Sequence, residues 1–145
     1  MTLVVDASVV VKWLVSDPAR ETETEQATRL MRWVLEGREA VIQPVHWLLE
    51  AGAVLARISP QSAEDDVAML QALELPTDDG PLVLGRACRL AIDLRQHLFD
   101  TLYHALALEI RGATLVTADQ RYLAAGAALG CVVGLSEWSP PNGSR

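Results

Sequence analysis

Four acidic residues stand where a solvated surface does not account for them. Asp6 and Asp119 each come at the point where a predicted strand passes into a predicted helix, and Asp100 opens another helix. Glu50 is predicted to lie on a largely apolar helix face, because the residues three and four positions away are His46, Trp47, Ala53 and Val54. Burying an unpaired carboxylate costs several kcal/mol, so we expect a cation to meet Glu50.

Each of these acids also has a structural explanation. Asp is among the best N-cap residues, so Asp6, Asp100 and Asp119 are candidates for helix caps that bind backbone N–H groups. Glu50 has the alternative of extending to the protein rim or pairing with Arg57. Capping and surface pairing remain open for each residue taken alone.

Together, the four acids indicate a metal site. Carboxylates that meet at one end of a parallel sheet repel one another, and ligands that are all oxygen select a hard cation such as Mg²⁺ or Mn²⁺. Such an ion activates water and neutralises charge on a transferred phosphoryl group, which predicts phosphodiester or phosphate-ester hydrolysis. A rival site would mix nitrogen and oxygen ligands for Mn²⁺ or Zn²⁺, since two pairs are four residues apart: His46 with Glu50, and Asp100 with His104.

The elements that position these acids alternate along the chain. Predicted strands are Thr2–Val5, Ala40–Gln43, a brief edge strand Glu74–Pro76, Ala113–Thr117 and Cys131–Val133. Predicted helices run from Asp6 to Leu14, from Pro18 (after the N-cap Asp17) to Gly37, from Pro44 to about Arg57, from Ser59-Pro60, from about Pro81, from near Asp100 to Gly112, and from Asp119 to Leu129. The alternation predicts an α/β sandwich with a short, mostly parallel sheet of about five strands and about seven helices.

Composition limits the class of protein. The chain has 145 residues, of which 50% are hydrophobic and 21% charged, so a folded domain is expected over residues 1–135, with a flexible tail at 136–145. Cys88 and Cys131 are expected to be buried free thiols. We predict a cytoplasmic protein without a membrane segment, because Asp6 and Lys12 interrupt the apolar N-terminus.

Four segments in order resemble the PIN domain, and specifically the VapC-type toxins of type II toxin–antitoxin systems. They are Leu3-Val4-Val5-Asp6-Ala7-Ser8-Val9-Val10-Val11-Lys12-Trp13, then Pro44 through Glu50 to Leu55, then Phe99-Asp100-Thr101-Leu102-Tyr103-His104-Ala105-Leu106-Ala107, and finally Leu115-Val116-Thr117-Ala118-Asp119 with Leu123. The resemblance covers nearly all of residues 2–134, and each segment is centred on one of the four acids.

The resemblance implies a PIN-like sandwich and a Mg²⁺- or Mn²⁺-dependent endoribonuclease that hydrolyses RNA phosphodiesters by metal-activated water. Its catalytic residues would be Asp6, Glu50, Asp100 and Asp119, with Asp6, Asp100 and Asp119 as metal ligands. Thr117 and Ser8 would be polar neighbours of these ligands and would not bind the metal themselves. The family often has Asn three residues after the second acid, whereas this chain has Ala53. A supporting hydrogen bond is therefore expected to be missing.

By the same resemblance, the protein is expected to dimerise and to be neutralised by a small antitoxin protein. The net charge of −7 opposes RNA binding, although part of it would be the metal site itself, where each divalent ion returns +2. Basic residues proposed to contact RNA are Lys12, Arg86, Arg89 and Arg121.

Two other functions compete with this prediction. A phosphoacceptor or phosphatase domain would need a Lys from a late strand or loop, and no Lys follows Lys12. A catalytically weakened PIN-like module would act through partner association, with the Asp residues serving as helix caps.

Overall fold

The computed structural model describes residues 1–15, 17, 19 and 21–141. Its strands are β1 (Thr2–Val5), β2 (Ala40–Val41), β3 (Gln43–Pro44), β4 (Thr77–Asp78), β5 (Ala113–Thr117) and β6 (Val132–Gly134). Its helices are α1 (Ala7–Leu14), α2 (Thr24–Leu35), α3 (Trp47–Ile58), α4 (Ala63–Ala72), α5 (Pro81–Leu94), α6 (Leu98–Glu109) and α7 (Gln120–Gly126), followed by a 3₁₀ turn at Ala127–Leu129. Within these ranges, no helix has the length and apolar character needed to cross a membrane.

Four parallel strands form the central sheet in the order β2-β1-β5-β6. The inner strands β1 and β5 are almost wholly buried, which explains why their sequences are runs of Val, Leu and Thr. In their register Val5 lies opposite Val116, so Asp6 and Thr117 follow at the same carboxyl edge of the sheet. Helix α6 packs against both of these strands, and α1 packs against β5. The predicted α/β class, with a parallel sheet and seven helices, is confirmed.

Two short strands form a separate parallel sheet, in which Gln43 lies opposite Thr77 and Pro44 opposite Asp78. The prediction of one strand over Ala40–Gln43 is therefore wrong. The chain pairs with β1 only to Val41, and from Gln43 it turns to β4. The predicted helix start at Pro44 is also wrong, because Pro44 ends β3 and α3 begins at Trp47.

The second helix begins later than predicted. Asp17 accepts a hydrogen bond from Ala19 N (3.0 Å), but this is a local turn, and α2 begins only at Thr24. Glu23 precedes it in the left-handed region with φ of 58°, a conformation that interrupts a right-handed helix. Pro18, which was predicted to open the helix, lies outside the described residues.

Both cysteines are exposed, so the prediction that they are buried is wrong. The buried side of α5 consists of Val83, Ala87 and Leu90, which leaves Cys88 on the solvent side. Cys131 follows Gly130 in a turn where both residues have positive φ.

The segment after β6 carries a buried aromatic side chain. Leu135 and Trp138 belong to the buried core, and Arg29 Nη2 donates to Trp138 O (3.3 Å). The boundary at residue 135 and the flexibility of residues 136–145 stay predictions, and residues 142–145 lie outside the described part of the chain.

Candidate metal and nuclease site

Asp6 is fixed by two hydroxyl groups at the end of β1. Thr117 Oγ1 donates to Asp6 Oδ2 (3.1 Å), and Ser8 Oγ donates to the same oxygen. Among the described residues no backbone N–H of the first turn of α1 donates to the Asp6 side chain, so the carboxylate does not cap that helix. The two hydroxyls orient Asp6 through Oδ2 and leave Oδ1 for another ligand.

The same hydroxyls tie Asp6 to the chain after β5. Ala118 N donates to Ser8 Oγ and Asp119 N donates to Thr117 Oγ1, both at 3.1 Å. Each hydroxyl therefore accepts from the backbone and donates to Asp6, which fixes the direction of its proton. This network joins the first acid to the backbone of the fourth across 113 positions of sequence.

Gln43 holds the strand end from the other side. Its side chain is fully buried, with Oε1 accepting from Val5 N and Nε2 donating to Val5 O, both at 2.8 Å. These bonds replace the ladder that β2 no longer supplies beyond Val41. Gln43 thus fixes the residue immediately before Asp6, a role that its position within a predicted strand did not reveal.

The capping alternative holds for Asp119 and fails for Asp100. Asp119 Oδ1 accepts from Tyr122 N (3.0 Å) and caps α7. In α6 the cap is His97, whose Nδ1 accepts from Phe99 N (3.1 Å), while Asp100 lies within the first turn. A carboxylate in a first turn gains from the helix dipole but satisfies no cap here.

Glu50 carries an unsatisfied oxygen. His46 Nε2 lies 3.1 Å from Glu50 Oε2, yet it also lies 2.9 Å from Phe99 O, which can only accept a hydrogen bond. The imidazole proton is therefore directed to the carbonyl, and Glu50 Oε2 is buried without a hydrogen-bond partner among the described residues. No ion pair joins Glu50 to Arg57 within those residues. The expected cation is therefore supplied by no Lys or Arg of the described chain.

All four acids line one open pocket of about 280 Å³. The other polar side chains around it are Ser8, Lys12 and Glu21. The carboxyl edge of the sheet thus brings together acids from the β1–α1 junction, α3, α6 and the β5–α7 junction, as the sequence predicted. The four acids of this pocket carry more negative charge than the single basic residue in its lining, Lys12, can balance.

Two of the acids in this pocket, Asp6 and Asp100, hold their protons more tightly than free carboxyl groups do. Burial raises the pKa of Asp6 from 3.8 to about 6, and the carboxylates of Glu50 and Asp100 act in the same direction against the hydrogen bonds from Ser8 and Thr117. Burial also raises the pKa of Asp100, with further contributions from Glu50 and Asp119, while His97 and His46 oppose the shift. Repulsion between like charges in one pocket favours binding of either protons or a metal cation.

The donor set fits a hard divalent cation in its chemistry. Every candidate ligand is a carboxylate oxygen, and the orphaned Oε2 of Glu50 is the kind of buried atom that a cation satisfies. No three Asp, Glu, His or Cys side chains of the described ranges are already gathered closely enough to hold a metal. The carboxylates would therefore have to move together around an ion.

Of the basic residues proposed for RNA, only Lys12 lines the acid pocket. It is buried and pairs with Glu21 Oε2 at 3.1 Å, also donating to Thr22 Oγ1 (3.2 Å). Arg86 is paired with Glu109 on the α5–α6 side, whereas Arg89 and Arg121 are exposed. The sequence assigned Glu21 to the solvent side of a helix, and no periodic signal marked it as part of the site.

The rival pairing of Asp100 with His104 as metal ligands is not available. His104 is fully buried, and its two ring nitrogens contact Tyr122 Oη (2.9 Å) and Gly130 O (2.8 Å). Burial lowers the pKa of His104, against the effect of the Gly130 carbonyl. The imidazole is therefore a neutral structural group.

The PIN-domain family model matches residues 3–128. The chain belongs to the PIN domain family. The crystal structure of PAE2754 from Pyrobaculum aerophilum is similar over 94% of this chain and 90% of that one, with a TM-score of 0.65 and 18% sequence identity. At that identity the likeness shows the shared fold. Comparison with curated proteins gives no match.

Members of the PIN domain family share a type of chemistry in which acidic residues of this kind take part. PIN domains are typically nucleases that act on RNA or other nucleic acids, and they generally use divalent metals. The family resemblance deduced from the four sequence segments is confirmed at this level.

Proposed function

We propose that this PIN domain is a metal-dependent endoribonuclease that hydrolyses RNA phosphodiesters. The observation that carries the proposal is the meeting of Asp6, Glu50, Asp100 and Asp119 in one pocket, with Asp6 oriented by two hydroxyls and Glu50 left unsatisfied. The domain that would carry this activity is residues 1–135, acting in the cytoplasm.

The four acids would divide into three metal ligands and one residue that acts on the attacking water. Asp6 and Asp100 would hold Mg²⁺ or Mn²⁺ together with Asp119, whose second oxygen is not used by its cap. A bound divalent cation would supply activation of water and neutralisation of charge on the scissile phosphate. Glu50 would orient the attacking water and accept its proton, and Ser8 and Thr117 would keep Asp6 in position. Lys12, which lines the pocket next to its partner Glu21, would contact a phosphate of the RNA.

We also propose that the nuclease is the toxin of a VapC-type pair, held in check by a small antitoxin and acting as a homodimer. The support is the order and content of the four sequence segments that resemble those toxins. Expression of the wild-type chain alone should then arrest growth, while the Asp6→Asn chain should not. Normal growth with the active wild-type enzyme would contradict the toxin role.

A second candidate is a weakened PIN module that acts by binding a partner. It is favoured by the cap that Asp119 makes on α7 and by the absence of a preformed three-ligand group among the described residues. Ala53, where the resembling toxins often have Asn, points the same way.

RNA cleavage separates the two functions. The purified protein should cut total RNA in Mg²⁺ or Mn²⁺ and lose this activity in EDTA. Asp6→Asn should abolish cleavage, whereas the matched control Asp65→Asn, which removes one exposed negative charge from α4, should cut like the wild type. Cleavage that survives Asp6→Asn would overturn the proposed active site.

A further inference from the structure

An apolar pocket of about 370 Å³ adjoins the acid pocket. The two share a wall, because Glu50 and Val54 line both. The rest of the apolar pocket is formed chiefly by Leu49, Ala53, Phe99 and Arg57. A ligand that binds at the acid pocket can therefore also contact the apolar pocket next to it.

Phe99 gives this pocket an aromatic surface next to Asp100. Phe99 remains 48% exposed as a residue, although its ring contacts the His46 ring at a centroid distance of 5.0 Å and the His97 ring at 4.8 Å. His46 is in turn packed edge-on against buried Tyr103 at 4.8 Å. The supporting rings hold Phe99 in place, so its exposed surface is preformed.

Arg57 places a positive charge at the same pocket. It is exposed on α3, the helix that carries Glu50, and no described carboxylate lies within ion-pair distance of it. The pocket thus combines a flat aromatic surface, an apolar wall and a cation beside the acids. A nucleotide has the matching parts, namely a flat base and an anionic phosphate.

We propose that the apolar pocket binds one unpaired base of the RNA strand next to the scissile phosphate, by stacking on Phe99, with Arg57 contacting the following phosphate. The inference rests on the proposed nuclease function and adds to it a binding site for one nucleotide, formed by Phe99 and Arg57 beside the acids. A volume at the low end for ligand pockets suits one base better than a protein helix. Aromatic stacking accepts any base, so the pocket selects for an unpaired nucleotide more than for its identity.

Cleavage of a defined RNA tests the stacking contact. An oligonucleotide with one mapped cut site is prepared with each nucleotide beside the cut either intact or abasic. For one of the two positions, loss of the base should lower wild-type kcat/KM about tenfold, and Phe99→Leu should lower it about tenfold on intact RNA but not on the abasic RNA. Equal sensitivity of the two proteins to base loss would overturn the proposal.

Two further variants guard against trivial effects. Phe99→Trp keeps an aromatic face and should keep base-dependent cleavage, while Ile92→Ala, at an exposed apolar residue of α5, should behave as wild type. Thermal unfolding should show all variants folded. A loss of base dependence in Ile92→Ala, or its full retention in Phe99→Leu, would contradict a specific role for Phe99.

Binding decides the inference even if the protein cuts no RNA. In the Asp6→Asn background, fluorescence anisotropy should give a Kd for a labelled intact oligonucleotide about tenfold lower than for the abasic one, and Phe99→Leu should erase the difference. Failure of cleavage with this pattern retained would count against the nuclease alone. A Phe99→Leu protein that binds both RNAs as before, but changes oligomeric state in sedimentation, would show that a second copy covers the pocket and would overturn the inference.

Discussion

Two polar clusters lie beside α7, and within the described residues only one of them finds hydrogen-bond partners for all of its polar atoms. In the His104 cluster both ring nitrogens have partners, Tyr122 Oη and Gly130 O, and the ring is neutral. In the acid pocket carboxylates repel one another, and Glu50 Oε2 has no hydrogen-bond partner in the described chain. The first cluster stabilises the fold by itself, whereas the second lowers the stability of the fold as long as its charges are not balanced.

Asp119 belongs to both regions. Its carboxylate lines the acid pocket, and its Oδ1 accepts from the backbone N–H of Tyr122, the residue whose hydroxyl meets His104. The His104 cluster therefore helps to fix one wall of the acid pocket. We therefore expect that removing a polar group from the His104 cluster lowers the stability of the protein, whereas removing a charge from the acid pocket raises it.

The largest effect on stability is expected from His104→Leu. The variant leaves the buried Tyr122 hydroxyl and the Gly130 carbonyl without partners, at about 1–3 kcal/mol each. The free energy of unfolding, measured with urea, should fall by about 2–5 kcal/mol. Tyr122→Phe should cost less, and the double variant should cost less than the sum. If the stability of His104→Leu were unchanged, the structural role of this cluster would be contradicted.

In the absence of metal, Asp6→Asn should raise the free energy of unfolding, whereas His104→Leu should lower it. The pKa of Asp6 is raised from 3.8 to about 6, so the folded state binds the proton more tightly and stability is lost as pH rises through that range. Above pH 6 the charged group costs up to about 3 kcal/mol. In EDTA at pH 7.5 the variant should therefore be the more stable protein.

The pH dependence provides the control for that prediction. Below pH 3.8 Asp6 is protonated in both the folded and the unfolded state, so the advantage of Asp6→Asn should shrink as pH falls from 7.5 towards 4. Urea unfolding in EDTA at several pH values measures this trend. A variant that is less stable at pH 7.5, or equally favoured at every pH, would contradict the repulsion among the acids.

The smallest effect is expected at the shared residue. Asp119→Ala removes the α7 cap and should cost about 0.5–2 kcal/mol, partly offset by the loss of one negative charge. Asp119→Asn keeps a capping side chain and should be the more stable of the two. Both should weaken RNA cleavage. Equal stability of the two variants, measured by thermal unfolding, would mean that the cap contributes little.

The sequence was sufficient to locate the four acids because their positions depend on local order. Asp6 and Asp119 follow strands β1 and β5, and parallel neighbouring strands bring such residues to one edge. Glu50 stood out because a carboxylate on an apolar helix face requires a partner. These signals are short-range and survive errors in element boundaries, such as the helix start misplaced at Pro44.

The supporting residues could not be found in the same way. Gln43 acts through a backbone 38 positions away, and Glu21 reaches Lys12 only because α2 starts late, after the left-handed Glu23. His104 was read as a possible metal ligand because its partners, Tyr122 and Gly130, come from later in the chain. Such contacts are set by tertiary packing, for which residue spacing carries no signal.

The central claim is that the acid pocket completes itself with a divalent cation. Calorimetric titration of the metal-free protein with Mn²⁺ tests it most directly. The account predicts saturable binding by the wild type and by Asp65→Asn, together with loss of that binding in Asp6→Asn, and a matching rise in thermal stability only where binding occurs. Absence of saturable binding by the wild type, or equal binding by Asp6→Asn, would contradict it.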